Sequence, residues 1–272
     1  MQASTTNHDA FTAVHNADSA VQRGAGVQWH LFTDGAWDGE QRDQQQQSDR
    51  PPPPAGYGVA ELHADSSTEH EQQVHANNAP AAGPRIPIGQ LLAPADGGEG
   101  SAEGGTARLK WVLSGKVQID PQADDYIDAT AHTNNTGELS ALYYALVRAG
   151  ARPRDAGKEV VHTDSLYALN MATGKWMPSK KGKHNADLIA RLRRAWRKVQ
   201  RKRPNEVTLR HVRSHVGVPG NELADMLADA GARGGDTTLT AAKDWIQGWL
   251  ARQGRPGGGQ PPGRPPGREG DG

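Results

Sequence analysis

The chain is 272 residues long with 33 Gly, 18 Pro and a hydrophobic fraction of only 35%, so a large part of it cannot be core. Its 31 basic and 31 acidic residues cancel, which leaves only the local distribution of charge as a guide to partners. The absence of cysteine excludes disulfides and thiolate metal sites and fits a reducing compartment. Once the biased stretches are set aside, roughly 150 residues of ordinary composition remain, enough for one buried core. No run approaches the length of a membrane span, and the N-terminus has neither an apolar signal region nor an arginine-rich transit pattern. A soluble protein of the cytoplasm or nucleus is expected.

Residues 1–26 are small, polar and aperiodic and read as a disordered tail. VQWHLFTD (27–34) sets Val27, Trp29 and Leu31 against His30 and Phe32, which predicts a strand that finishes on Asp34. A Gln tract and a Pro run follow at about 40–55, a low-complexity insertion, before YGVAEL (57–62) resumes as the partner strand. Residues 63–107 form a second insertion, expected to loop out, in which only RIPIGQLL (85–92) is apolar enough to dock. LKWVLSGKVQID (109–120) is further strand.

NNTGELSALYYALVRAGA places Leu139, Leu142, Tyr143, Leu146 and Val147 at helical spacing, with Gly150 as its end. KEVVHTD is a short strand, NADLIARLRRAWRKVQRKR a helix and NEVTLRHV a strand. GNELADMLADAGA and TAAKDWIQGWLARQ are amphipathic helices, and the Gly/Pro-rich residues 253–272 are a disordered tail. The order predicts one α/β domain over 27–252.

On this layout Asp34 and Asp164 end strands, Glu138 lies in the first turn of a helix and Asp225 near the start of another. Strand ends and helix starts share an edge in α/β folds, so the four acids are placed to converge. Each also has a structural reading. Asn135 and Glu138 match a capping box, Asp34 and Asp164 match turn formers, and Asp225 lies opposite Leu223, Met226 and Leu227, as a solvated acid would. If the acids converge, two like charges about 4 Å apart repel by about 4 kcal/mol at an effective dielectric near 20. Divalent cations relieve such crowding, and hard oxygen donors favour magnesium or manganese over zinc.

Four segments, in order, closely resemble the signature segments of type 1 ribonuclease H: FTDGAWDG, TNNTGELSALYYAL, HTDSLYAL and VRSHVGVPGNELADMLADAGA. The resemblance covers roughly residues 27–235 apart from the two insertions. It implies a mixed five-stranded sheet flanked by helices and metal-dependent cleavage of the RNA strand of RNA/DNA hybrids. It further implies that Asp34, Glu138, Asp164 and Asp225 hold two Mg2+ (or Mn2+) ions, with His215 a mobile-loop histidine that moves protons or releases product. Asn134 and Asn135 match contacts to the hybrid's minor groove, where the 2′-hydroxyl marks RNA. Thr133 and Asn185 resemble members of a pocket for a phosphate of the DNA strand, and Trp176 resembles an aromatic lining the DNA channel. Outside the motif, His215 reads as a surface loop histidine.

The span Lys175 to Arg203 holds twelve Lys or Arg and one acid, Asp187. Solvated helix faces usually mix signs, so this tract reads as a phosphate-binding surface, with Arg191, Arg194, Lys198 and Arg201 on a face away from Leu188, Leu192 and Val199. Ala131 and His132 stand where many family members carry a basic residue, which predicts a weaker DNA-strand preference. The partner expected is an RNA/DNA hybrid, with no membrane and no protein partner inferable, the chain acting as a monomer. The alternatives are a catalytically silent RNase H-like domain that only binds nucleic acid, and an RNase H domain of retroelement origin.

Overall fold

The computed structural model describes residues 28–37, 53–65, 85–87, 106–178 and 185–253. In chain order these form β1 (Gln28–Trp37), β2 (Ala55–Asp65), β3 (Arg85–Pro87), β4 (Thr106–Lys116), α1 (Asn134–Ala151) and β5 (Lys158–Thr163). Then follow α2 (Leu166–Thr173), α3 (Ala186–Lys202), β6 (Val207–His211), α4 (Pro219–Arg233) and α5 (Leu239–Gln253). All six strands join one mixed sheet in the order β3-β4-β2-β1-β5-β6. β1 runs antiparallel to β2 and parallel to β5, which in turn runs parallel to β6.

The five long strands expected are present. A sixth, β3, comes from the second insertion, which was expected to loop out. It pairs with β4 through Arg85↔Arg108, Ile86↔Ala107 and Pro87↔Thr106, and Ile86 is fully buried. The insertion therefore returns to cover the sheet edge at its one apolar stretch. The ends of both insertions belong to β2 and β4, and residues 38–52, 66–84 and 88–105 lie outside the described residues, as do residues 1–27 and 254–272.

Alternation along β1 divides the core in two. Leu31 faces Leu139, Leu142, Leu146, Leu188 and Leu192 of α1 and α3. Phe32 faces Leu223, Leu227, Ala242 and Ile246 of α4 and α5. Among the described residues no helix is long and apolar enough to cross a membrane.

Several local expectations are corrected. β1 does not finish on Asp34 but continues to Trp37 against β2. The cap of α1 is Thr133, whose hydroxyl accepts from Thr136 N at 3.1 Å, so Asn135 and Glu138 form no capping box. That helix runs through Gly150 to Ala151 and ends on extended Arg152. The octet LYALNMAT, unassigned in the sequence reading, is α2, capped by Ser165 and closed by left-handed Gly174.

Not all of the basic tract faces solvent. Arg203 is fully buried, paired with Glu159 and donating to Ala149 O at 3.2 Å and to Gly157 O at 2.5 Å. Arg152 bridges Glu159 and Glu61, and Arg148 reaches Glu61 at 2.8 Å, which makes a buried network of three guanidinium groups and two carboxylates. Arg152 also lies 3.7 Å above the Trp29 ring centre. Arg191 is tied to Asp128 at 2.7 Å. Arg194, Arg197, Lys198 and Arg201 remain exposed on α3.

Candidate active site

The site forms where β1 parts from its parallel neighbour. Thr33 pairs with Thr163, so the next residues stand abreast just past the last parallel pair, Asp34 still within β1 and Asp164 directly after β5. Two glycines then let helices approach. Asp34 lies opposite Gly58 on β2, and a Cβ at Gly58 would overlap the backbone of α4 at Ala224 and Ala228, beside Asp225. A Cβ at Gly35 would overlap the backbone of α1 at Gly137 and Glu138. The Asp-Gly pair therefore offers its acid to the α4 side of the sheet and an open backbone to the α1 side.

The charges of the other three acids are felt at Asp34. Asp34 is 6% exposed. Burial pushes its carboxyl well above the ordinary carboxylate range, Asp164, Asp225 and Glu138 push it further, and one bond from Gly35 N opposes them. That bond is 2.7 Å long. Burial raises Glu138 to about 7; a hydrogen bond from Ser165 opposes the shift, Asp164 adds to it and a bond from Asn134 opposes it again. Asp164 accepts from Asn221 Nδ2 at 3.2 Å, and its backbone carbonyl meets His211 Nε2 at 3.0 Å.

A concentration of carboxylates in a buried setting is stable only with compensation, by protons or by cations. The donor set is all hard oxygen and suits magnesium or manganese. Among the described residues no three His, Asp or Glu side chains already stand as a preformed ligand set.

A second group forms beside the acids. Thr133 and Thr136 hydroxyls are 2.6 Å apart, and Thr136 Oγ1 donates to Asn185 Oδ1 at 3.3 Å. Asn185, 5% exposed and left-handed at φ 64°, begins α3, and its backbone N donates to Thr130 Oγ1 at 3.5 Å. Thr133 and Asn185 are thus brought together through Thr136, which the sequence reading passed over. His132 is taken up in the fold, its Nδ1 accepting from Ala55 N at 3.2 Å.

Asn134 and Asn135 are exposed on the first turn of α1, and Asn134 Nδ2 donates to Glu138 Oε1 at 2.7 Å. His215 is exposed, at φ 52°, in the connection from β6 to α4, where Gly217 N is held by Glu222 Oε1 at 3.1 Å. Trp176 is 48% exposed and follows the end of α2; Arg193 anchors its carbonyl at 2.5 Å. Ser165, Asn221 and His211 also touch the site and were not singled out in the sequence. Ser165 was legible as a cap, since it precedes LYAL; the contacts of Asn221 and His211 arise only from tertiary packing.

A family model for RNase H matches residues 99–233 of the chain. A ribonuclease H of Saccharopolyspora erythraea is 36% identical over 118 residues, 39% of this chain and 69% of that protein. Among solved structures, RNase H1 of Halobacterium salinarum is 19% identical at a TM-score of 0.39, covering 76% of this chain and 98% of that one. LC11-RNase H1 in complex with RNA/DNA hybrid is 15% identical at a TM-score of 0.38, covering 76% and 97%. The family-model match carries Glu138, Asp164 and Asp225 but begins after β1, so Asp34 joins them through the fold.

Proposed function

Because this chain belongs to the ribonuclease H family, we propose that it is an endonuclease that hydrolyses the RNA strand of RNA/DNA hybrids, leaving 5′-phosphate and 3′-hydroxyl ends. The observation that carries this reading is the buried Asp34 carboxyl, crowded by Asp164, Asp225 and Glu138 from three other segments of the chain. Asp34, Glu138, Asp164 and Asp225 would hold two magnesium or manganese ions. When bound, these would supply Lewis-acid stabilisation to the attacking and leaving oxygens of an in-line displacement.

The chain's own groups supply the rest. Asp34 and Asp164, on adjacent rigid strands, bear most of the metal load, and Glu138 and Asp225 close the set from opposite faces of the sheet. His215 exchanges protons at the mouth of the site or assists product release. Asn134 and Asn135 read the minor groove, where the 2′-hydroxyl distinguishes the strand to be cut. Thr133 and Asn185 receive a phosphate of the DNA strand, Trp176 stacks along it, and the exposed basic residues of α3 hold the backbone. The protein acts as a monomer in the cytoplasm or nucleus.

The test is cleavage of end-labelled RNA in a hybrid, with duplex RNA and single strands as controls, with and without magnesium, for the parent and Asp34→Asn. Magnesium-dependent cutting of the hybrid alone, lost in the variant, is expected. Salt-sensitive binding without turnover would replace this reading with that of a binding domain.

A further inference from the structure

Glu138 has a side-chain donor on each carboxylate oxygen. Asn134 Nδ2 donates to Oε1 at 2.7 Å and Ser165 Oγ donates to Oε2. The first comes from Glu138's own helix, one turn back. The second comes from another element, the junction of β5 and α2, and from the residue directly after Asp164. Ser165 is 6% exposed, so this bond is shielded from water.

The Ser165 hydroxyl also caps α2, accepting from Ala168 N at 3.0 Å, while Ser165 N donates to Thr163 Oγ1 at 3.2 Å. A hydroxyl can donate one hydrogen bond while accepting others. Here the accepted bond fixes the oxygen on the helix end, which leaves the proton directed at Glu138. The cap thereby sets the aim of the donor.

We propose that Ser165 is a positioning residue: its helix-capping hydroxyl fixes the Glu138 carboxylate beside Asp164, so that the two acids present a spaced pair to a divalent cation. The proposal deepens the metal-dependent reading and rests on it. A free glutamate side chain samples many rotamers, and restricting it before the cation arrives lowers the cost of assembling the ligands. Asn134 cannot do this alone, because it moves with α1, whereas Ser165 moves with Asp164.

Three substitutions separate aiming from capping. Ser165→Thr keeps both acceptor and donor. Ser165→Ala loses both. Ser165→Gly loses the donor, while glycine at a helix cap weakens the helix far less than alanine does. Mn2+ affinity is measured by calorimetry without nucleic acid, together with Tm and with kcat and KM on a labelled hybrid.

The expected result is that Gly and Ala variants bind Mn2+ about tenfold more weakly than the parent and lose about tenfold in kcat, with KM for the hybrid within twofold, although their Tm values differ. Ser165→Thr should restore the parent's affinity and kcat. If the Gly variant binds Mn2+ like the parent while only the Ala variant loses stability, Ser165 is a cap and nothing more, and the proposal is overturned. If the parent itself binds no Mn2+, the failure lies with the metal-dependent reading instead.

Discussion

Asp34→Asn removes one negative charge from the middle of the acid cluster and keeps the side chain's shape. Two like charges about 6 Å apart at an effective dielectric near 20 repel by about 3 kcal/mol. The bond from Gly35 N at 2.7 Å loses its charged acceptor, which returns about 1 kcal/mol of that gain. The metal-free variant should therefore be more stable than the parent by about 1–3 kcal/mol at alkaline pH, a rise of roughly 2–12 °C in Tm. The folded value of Asp34 is raised above its unfolded 3.8, so the parent gains stability as pH falls through the folded value. The gap between the two proteins should narrow accordingly on acidification. Saturating magnesium should close or reverse the gap, because the parent gains more binding energy, about 2.7 kcal/mol at a hundredfold excess over Kd. Thermal and urea unfolding by circular dichroism, with chelator and with magnesium, provides the assay. A variant less stable than the parent in chelator at alkaline pH would refute the claim that the folded protein holds Asp34 against repulsion.

Gly58→Ala places a methyl against Ala224 O and Leu227 Cβ; with α4 pushed outward, hybrid cleavage should fall at least tenfold and urea unfolding should show a loss of about 1–3 kcal/mol. Glu159→Gln removes the charge that compensates Arg203 and Arg152 in the buried network; urea titration should show a loss of about 3–5 kcal/mol. His30 and His162 form a buried pair with Nδ1 and Nε2 3.0 Å apart. Burial, with Arg210 adding, lowers His30 from 6.5 to about 4, and burial, with His30 and Arg210 adding, holds His162 well below its usual value. The unfolded chain therefore takes up protons first as pH falls below 6.5, and stability on the order of 3 kcal/mol from His30 should be lost by about pH 4. Replacing both histidines by Leu should flatten that part of the profile relative to the parent in urea midpoints measured across this range.

The parts of this architecture that the sequence displays are those where one segment carries the whole signal. Asp34 and Asp164 each close a run with strand periodicity, and the parallel pairing of those runs puts them side by side. The amphipathic pattern of α3 gives Leu188, Leu192 and Val199 as its inner face, and all three are buried. Signals divided among segments are harder to read. TNNT offers several polar residues that could cap α1, and only the backbone at Thr133 selects one. Arg203 looks like the end of a basic surface run, yet Glu159, 44 positions earlier, draws it inside. α2 is eight residues long and directly follows a strand of similar composition, so no change of period marks its start. Ile86 docks because β4 leaves an edge to pair, which the local sequence cannot announce.

The pairing of β2 with β4 also governs where this protein can grow. Asp65 and Thr106 are register partners at the end of the sheet remote from Asp34, so both connections between them, 66–84 and 88–105, depart from that remote end. Length added there need not alter how β1 and α1 pack, although 103 residues separate Asp34 from Glu138 in the chain. The connection 38–54 instead leaves the sheet just three residues past Asp34, at the doorstep of the chemistry. Insertions therefore leave the sheet at opposite ends, one pair of connections remote from Asp34 and one connection close to it.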